Sequence, residues 1–360
     1  MHSSLIAWIM RAIPFGTIIM YGALGETMTE KSGNLNLGVP GIMYLGGFAG
    51  FASAWAYENS AANPNGFVSI LIALSCAILA SMAGGLIYAF LTISLRANQN
   101  VTGLALTIFG TGVGQYIGEI MRIREGGFVA VGNDLKAVFI SSPFPQAMQD
   151  IPYVGKILFG NSIFFYLGVV LAIVMHLFLN KSRTGLQLRS VGESPATADA
   201  AGINVSRYRY LGAIIGGGIS AVGGMVYITT IAGCVWNHEG LSGVGWLAVA
   251  LVIFATWRTV NAIWGSYLFG LLFWRCYRII MRQTELRDRL TAFGLTVILA
   301  MGAVMNLAVV MGVAPPKGVP MPLMSYGGSN LMATMLCVGL LMNFSRTATG
   351  KEGSIWKESS

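Results

Sequence analysis

The sequence predicts an all-α, polytopic transmembrane helical bundle, and three observations support that prediction. The 360 residues are 55% hydrophobic and only 10% charged, with a mean hydropathy of +0.67. A soluble protein of this length needs more charge to cover its surface. The apolar residues form runs that reach the roughly 20 helical residues needed to cross a bilayer, and the basic residues cluster at the ends of these runs.

The order of the apolar runs predicts about eight to ten membrane crossings. The stretch 121–159 contains several glycines and prolines and is expected to be an exterior loop, whereas 275–289 and 345–360 are basic enough to be cytoplasmic. Two runs approach about thirty residues, so each is either one tilted helix or two half-helices that meet inside the protein. The runs lie near residues 5–24, 35–56, 67–95, 101–120, 160–180, 208–232, 244–274, 291–313 and 320–344, the two long ones being 67–95 and 244–274.

The net charge of +8 is explained by membrane topology, because basic residues flank apolar runs on the cytoplasmic side. Nucleic-acid binding is therefore not expected, while contact with membrane lipids is. The 47 glycines fit closely packed transmembrane helices, where small residues let backbones approach. Gly110, Gly114 and Gly118 lie four residues apart and so mark one packing face of a helix.

Motifs for catalysis, metals and cofactors are missing from the sequence. The four cysteines are scattered without metal-ligand spacing, and His238-Glu239 is followed by Ser242 where a zinc-protease motif needs histidine. There is no phosphate-binding P-loop and no Gly-x-Ser-x-Gly elbow. We therefore predict no catalytic residue, no metal and no cofactor; if ATP drives this protein, another subunit binds it.

A polar stretch from Lys181 to Tyr210 interrupts the apolar pattern and carries five basic residues against two acidic ones. The positive-inside rule puts this stretch in the cytoplasm. Ser194-Pro195 predicts a helix start, with the serine side chain as N-cap and proline at the first helical position. The alanines that follow favour helix, and Gly202 suits the left-handed residue that ends one. A short helix with a small-residue face is suited to docking in a groove of another protein.

A second polar motif, residues 25–41, joins the first apolar run to the next. Asn34, Asn36, Gly38 and Gly41 stand at the mouth of the second run, and Pro40 weakens its first turn. Polar groups at this depth are costly unless they line a cavity or find partners. Two interpretations stay open: the asparagines cap and pack the second helix, or they line a translocation pathway.

Three segments together resemble one family. GALGETMTEKSGNLNLGVPGIM (22–43), GLQLRSVGESPATADAAGI (185–203) and residues 236–270 look like permease subunits of ATP-binding-cassette importers, specifically the simple-sugar and nucleoside group that works with lipoprotein receptors. The resemblance covers about residues 10–270. It implies a multi-pass protein of a bacterial cell membrane that imports a nucleoside or simple sugar and is not itself an enzyme.

The resemblance also implies partners and roles for particular residues. A second permease subunit, identical or related, would complete the pathway; a substrate-binding lipoprotein would deliver the cargo; and separate ATPase subunits would drive transport. The family often has glutamate where this chain has Pro40, which puts transport competence in question. The residues matching the family's coupling segment, expected to seat a short helix in the ATPase groove, are Gly192, Glu193, Pro195, Ala196, Ala201 and Gly202.

The last quarter of the chain resembles another family. Residues 305–347, with Pro315-Pro316 and Ser325-Tyr326-Gly327-Gly328-Ser329, look like the C-terminus of the cell-shape and division polymerases that include FtsW and RodA. We therefore predict a hybrid: an importer-permease-like domain over 1–274, and an FtsW/RodA-like helix pair with a cytoplasmic tail over 275–360. The alternatives to an importer permease are a peptidoglycan glycosyltransferase relative and an inactive membrane hybrid.

Overall fold

The computed structural model describes residues 2–151, 155–236, 241–255, 257–283, 285–310 and 332–344. The described residues form helices and no β-strand, apart from an isolated bridge between Ala130 and Val235. The helices are α1 (His2–Lys31), α2 (Val39–Ser60), α3 (Gly66–Ala89), α4 (Gln99–Arg124), α5 (Asn133–Ile140), α6 (Gln146–Gln149), α7 (Gly155–Phe159), α8 (Ile163–Lys181), α9 (Arg183–Glu193), α10 (Pro195–Ala200), α11 (Val205–Val226), α12 (Leu241–Phe254), α13 (Thr259–Arg282), α14 (Leu286–Val310) and α15 (Met332–Phe344).

The all-α prediction is confirmed, and three helical segments of the described residues are long and apolar enough to cross a membrane. They are Gly66–Ser94, Ile163–Lys181 and Val205–Ile231. The first and third end in π-helical turns, at Phe90–Ser94 and Tyr227–Ile231, that extend α3 and α11. The number of crossings stays a prediction.

The structure answers one question that the apolar runs left open. Run 67–95 is one continuous helix with its π turn, whereas run 244–274 is divided between α12 and α13. The break includes Trp257, whose φ of 54° is left-handed, and the exposed Arg258. An arginine interrupting an apolar run therefore marked the position where the helix breaks.

One boundary in the prediction was wrong. The second apolar run begins as helix only at Val39, because residues 32–38 form a non-helical link between α1 and α2. The stretch 275–289, which is expected to be cytoplasmic, is almost entirely helical, since α13 continues to Arg282 and α14 begins at Leu286. Its arginines, leucine and methionine are good helix formers. The stretch 121–159, which is expected to be an exterior loop, contains three short helices, α5 to α7, between its turns.

Two compact units divide the chain, Met1–Gly270 and Leu271–Ser360. In the first, α11 is the central helix and packs against α1, α2 and α3. About 78% of its most apolar window is buried, against 28% for α3 and for α8. Glycine allows this close packing: a Cβ added at Gly224 would lie 1.8 Å from the carbonyl oxygen of Met43. The second helix, α2, also packs against α4 and α12.

The second unit has its own small core. Cys276 and Ile279 of α13, Ala292 and Leu299 of α14 and Leu341 of α15 form one buried apolar cluster. In the same unit, the amide of Gln283 donates a hydrogen bond of 3.0 Å to the carbonyl oxygen of Phe344. The FtsW/RodA-like motif residues 312–329 lie outside the described residues.

Candidate coupling site

The α9–α10 segment, residues 183–202, forms from local signals. Ser182 caps α9 by accepting a hydrogen bond of 2.9 Å from the backbone N–H of Gly185. Helix α10 starts at Pro195 and ends at Ala200, two residues before Gly202, whose φ of +78° is left-handed, as predicted. Its end is closed by a Schellman pair, in which the N–H groups of Gly202 and Ile203 donate to the carbonyls of Asp199 and Ala198.

One detail of the predicted helix start was wrong. Ser194 occupies the N-cap position with extended backbone, but its hydroxyl accepts no backbone hydrogen bond. The Ser194 Oγ lies 2.7 Å from the Thr197 Oγ1 instead. Pro195 at the first helical position has no N–H to satisfy, so the helix starts without this cap.

The face that α10 turns outward is built of small residues. Ala196, Ala201 and Gly202 are exposed, Pro195 is half-buried, and Ala198 is buried against the protein. The Glu193 side chain is 71% exposed, and its Oε1 lies 3.6 Å from the Arg189 guanidinium one turn earlier. An exposed ion pair of this kind contributes less than about 1 kcal/mol to the free energy of unfolding, so the Glu193 carboxylate can exchange Arg189 for a cation of another protein.

Gly192 faces inward and packs on the end of α1. A Cβ added at Gly192 would lie 2.3 Å from the carbonyl oxygen of Lys31 and 3.1 Å from the backbone nitrogen of Gly33. Gly33 itself has a left-handed φ of +87°. Because any other residue at 192 would collide with the backbone, the α9–α10 segment rests directly on the first helix.

The pathway candidates Asn34 and Asn36 are both buried, in the link between α1 and α2. The Asn34 amide donates 3.0 Å hydrogen bonds to Ser32 Oγ and to the carbonyl oxygen of Arg209. The Asn36 Oδ1 accepts a 2.8 Å hydrogen bond from the Gly38 N–H, and the Asn36 N–H donates to a Glu26 carboxyl oxygen at 2.9 Å. Each of these contacts supports helix packing.

The pathway candidates Gly38 and Gly41 lie where α2 meets α4. A Cβ at Gly41 would be 2.4 Å from the carbonyl oxygen of Leu106, and one at Gly38 would be 2.8 Å from the Leu106 side chain. The carbonyl of Leu37 accepts a 2.8 Å hydrogen bond from Thr107 Oγ1. These glycines thus allow α2 and α4 to touch along their backbones.

Sequence reasoning missed a cavity of about 330 Å³ beside this link. The indole N–H of Trp257 donates a hydrogen bond to the Glu30 carboxyl at its wall, across 227 positions of sequence. Glu26 and Glu30 are four residues apart on α1, so the sequence indicates that the two carboxyl groups are neighbours on one helix face. The residues around the cavity include Glu30, Lys31, Asn34, Gln99, Arg189 and Trp257.

Replacing Asn36 with alanine distinguishes the two interpretations of this residue. The change removes the acceptor of the Gly38 N–H, and we expect it to lower the free energy of unfolding by about 1 kcal/mol. Asn36→Ser keeps a weaker acceptor in the same turn and should lower the free energy of unfolding by a smaller amount. Thermal unfolding of the purified protein in detergent measures both. If both variants unfold like the wild type but transport is lost, Asn36 lines the pathway.

Comparison with known proteins separates the two parts of the chain. A family model described as cell cycle protein matches residues 259–350. A Trichlorobacter lovleyi protein named as the peptidoglycan glycosyltransferase FtsW is 42% identical over 78 residues, which are 22% of this chain and 20% of that protein. The chain thus spans about a fifth of this relative. No solved structure matches the chain.

Longer matches come from transporter permeases. The guanosine ABC transporter permease protein NupQ of Bacillus subtilis is 35% identical over 69% of this chain and 75% of its own length. The nucleoside permease protein NupC of Lactococcus lactis is 31% identical over 71% and 78%. A Haloferax volcanii protein named as a glucose ABC transporter permease, TsgC13, is 35% identical over 71% and 72%.

The family model that matches most of the chain extends over residues 8–288 and is described as branched-chain amino acid transport system / permease component. It overlaps the cell cycle match only in residues 259–288, which contain all of α13 and the first residues of α14. Both predicted resemblances are confirmed by these matches. The chain therefore belongs to the branched-chain amino acid transport system / permease component family of membrane transport proteins.

Proposed function

We propose that this protein is the permease subunit of an ATP-driven importer in a bacterial cell membrane, and that it forms the membrane pathway for a nucleoside or simple sugar. Relatives named for guanosine, nucleosides and glucose support this cargo class. The observation that carries the proposal is the α9–α10 segment: an exposed small-residue helix beside basic residues, standing on the end of α1.

The partners follow from the same proposal. An ATPase subunit binds the face formed by Pro195, Ala196, Ala201 and Gly202, where alanine and glycine permit close backbone approach. Glu193 pairs with a basic residue of that subunit. A second permease subunit completes the pathway and a substrate-binding lipoprotein supplies the cargo. ATP is hydrolysed in the partner, and this chain is not an enzyme.

Co-purification with an importer ATPase subunit tests the proposal. The full chain should retain the ATPase. A Pro195→Asp, Ala201→Asp variant should bind the ATPase at least about tenfold more weakly, because docking would bury two carboxylates without partners. Ala62→Asp is the matched control, because Ala62 is an exposed alanine in the link after α2, at the other end of that helix from α1 and outside the apolar runs. Loss in the control as well would mean misfolding, and equal retention by all variants would contradict the assignment.

The C-terminal match supports a second candidate, a membrane glycosyltransferase relative. Its support is the 42% identity of the tail, which is confined to about a fifth of that relative. The carboxylates Asp134 and Asp150, in the exterior stretch of the first unit, have no recognisable match to that family's reactive loop.

We propose that the tail is a helical unit without a catalytic or transport role of its own. Exchanging residues 275–360 for an importer-type ending should then preserve transport, and loss of transport in that exchange would give the tail a function.

A further inference from the structure

The end of α1 connects the α9–α10 segment to the break between α12 and α13. On one side, the backbone of Gly192 packs against the carbonyl of Lys31 so closely that no side chain fits. A displacement of α9 therefore displaces the last turn of α1. The preceding residue, Glu30, is in this turn and is partly buried.

On the other side, Glu30 accepts the hydrogen bond from the Trp257 indole. Trp257 closes the end of α12: its N–H donates to the carbonyl of Val252 at 3.2 Å. Its φ of 54° is costly for a bulky residue, and such strained positions concentrate at parts of proteins that switch conformation. Since α12 packs on both α1 and α2, a change at the break reaches the central helices.

The cavity of about 330 Å³ lies between these two contacts, with Gly192 and Arg189 on one wall and Glu30 and Trp257 on another. It gives the indole space to move. Two cavity residues also have buried polar atoms without a hydrogen-bond partner, Asn34 Oδ1 and Arg189 Nε. Unsatisfied buried groups are costly in one conformation, and they are available to form bonds in another.

We propose that Glu30 and Trp257 are positioning residues that pass movement of the α9–α10 segment, through the end of α1, to the α12–α13 break. The proposal rests on the importer function proposed above, in which an ATPase moves that segment. Neither residue needs to touch ATPase or cargo. Their role predicts a loss of coupling without a loss of assembly.

The first experiment measures cargo transported per ATP hydrolysed by the complete complex in liposomes. Trp257→Phe keeps an aromatic ring and removes the N–H donor. We expect ATPase binding and basal hydrolysis to stay within about twofold, and transport per ATP to fall about tenfold, since a hydrogen bond to a carboxyl group is among the stronger ones. Trp264→Phe removes an indole that is 76% exposed and should change nothing.

A matched series separates linkage from simple damage. Glu30→Ala should give the same loss as Trp257→Phe, Glu30→Gln should restore part of the transport because it keeps an acceptor, and the double variant should be no worse than either single one. Additive losses, or wild-type transport per ATP in Trp257→Phe, would overturn the proposal.

A second readout needs no ATPase. In the purified permease, the emission of Trp257 is obtained by subtracting the spectrum of Trp257→Phe. Gly192→Ala pushes α9 away from Lys31 and should shift this emission, whereas Ala196→Ser on the exposed face of α10 should not. An unchanged emission overturns the link. If the wild-type permease binds no ATPase, the importer function fails, and this emission alone decides whether the link exists.

Discussion

Replacing Glu193 with arginine is expected to abolish the stimulation of ATP hydrolysis by substrate in the complete importer complex. The wild-type side chain is 71% exposed and lies 3.6 Å from Arg189. Arginine at this position would place two cations one turn apart and reverse the charge offered to the partner. Like charges brought together at an interface cost several kcal/mol, so we expect a loss of about a hundredfold in the stimulated rate.

The measurement compares ATP hydrolysis with and without cargo-loaded binding protein. Because Glu193 is exposed, the permease should remain folded and monodisperse. Glu125→Arg is the control, since Glu125 is an exposed carboxylate that follows α4 at the opposite end of the first unit. A Glu193→Arg complex with normal stimulation would remove Glu193 from the coupling contact, while an effect of both variants would point to charge in general.

Much of the α9–α10 segment was predictable because its signals are local. Proline at the start of a helix and glycine after its end act through their own backbone preferences, so Pro195 and Gly202 mark the bounds of α10 in the sequence itself. The glycine face of α4 was predictable for a similar reason, because spacing by four places residues on one side of a helix. Gly110, Gly114 and Gly118 are all buried there.

The contacts around the cavity were not predictable, because they join residues far apart in the chain. Helical periodicity predicts that Glu30 and Glu26 share a helix face. It does not predict that the Trp257 indole N–H donates a hydrogen bond to the Glu30 carboxyl group. Likewise, nothing in the sequence near Gly192 indicates that Lys31 leaves no space for a side chain there. For the run 244–274 the sequence allowed one tilted helix or two half-helices, and only the three-dimensional structure shows the break at Trp257.

Pro40 has one expected role from the family resemblance and another from its contacts in the structure. The family resemblance leads one to expect a glutamate there, and the proline takes an early position of α2, where it is well tolerated. In the structure Pro40 is buried, and a Cβ added at Gly245 of α12 would lie 2.5 Å from its Cα. The position is thus a packing contact between α2 and α12 in this chain.

Gly110→Ala is expected to be strongly destabilising, and it has a matched control two residues away. A Cβ at Gly110 would lie 2.4 Å from the carbonyl oxygen of Gly41, and neither backbone can move without separating α4 from α2. We expect a loss of about 3 kcal/mol in the free energy of unfolding. No atom lies within 4 Å of a Cβ added at Gly112. Gly112→Ala should therefore raise the free energy of unfolding by up to about 1 kcal/mol through its higher helix propensity.

Denaturant unfolding of the two variants in detergent measures both changes, which have opposite signs although the chemistry is identical. Equal shifts would mean that α2 and α4 do not touch at Gly41 in the folded protein. The result also bears on Gly41 itself. If Gly110→Ala unfolds the protein, Gly41 is needed for a helix contact, because its own carbonyl is the atom that the new methyl group meets. If Gly110→Ala is stable and only transport falls, the space beside Gly41 is open and belongs to the pathway.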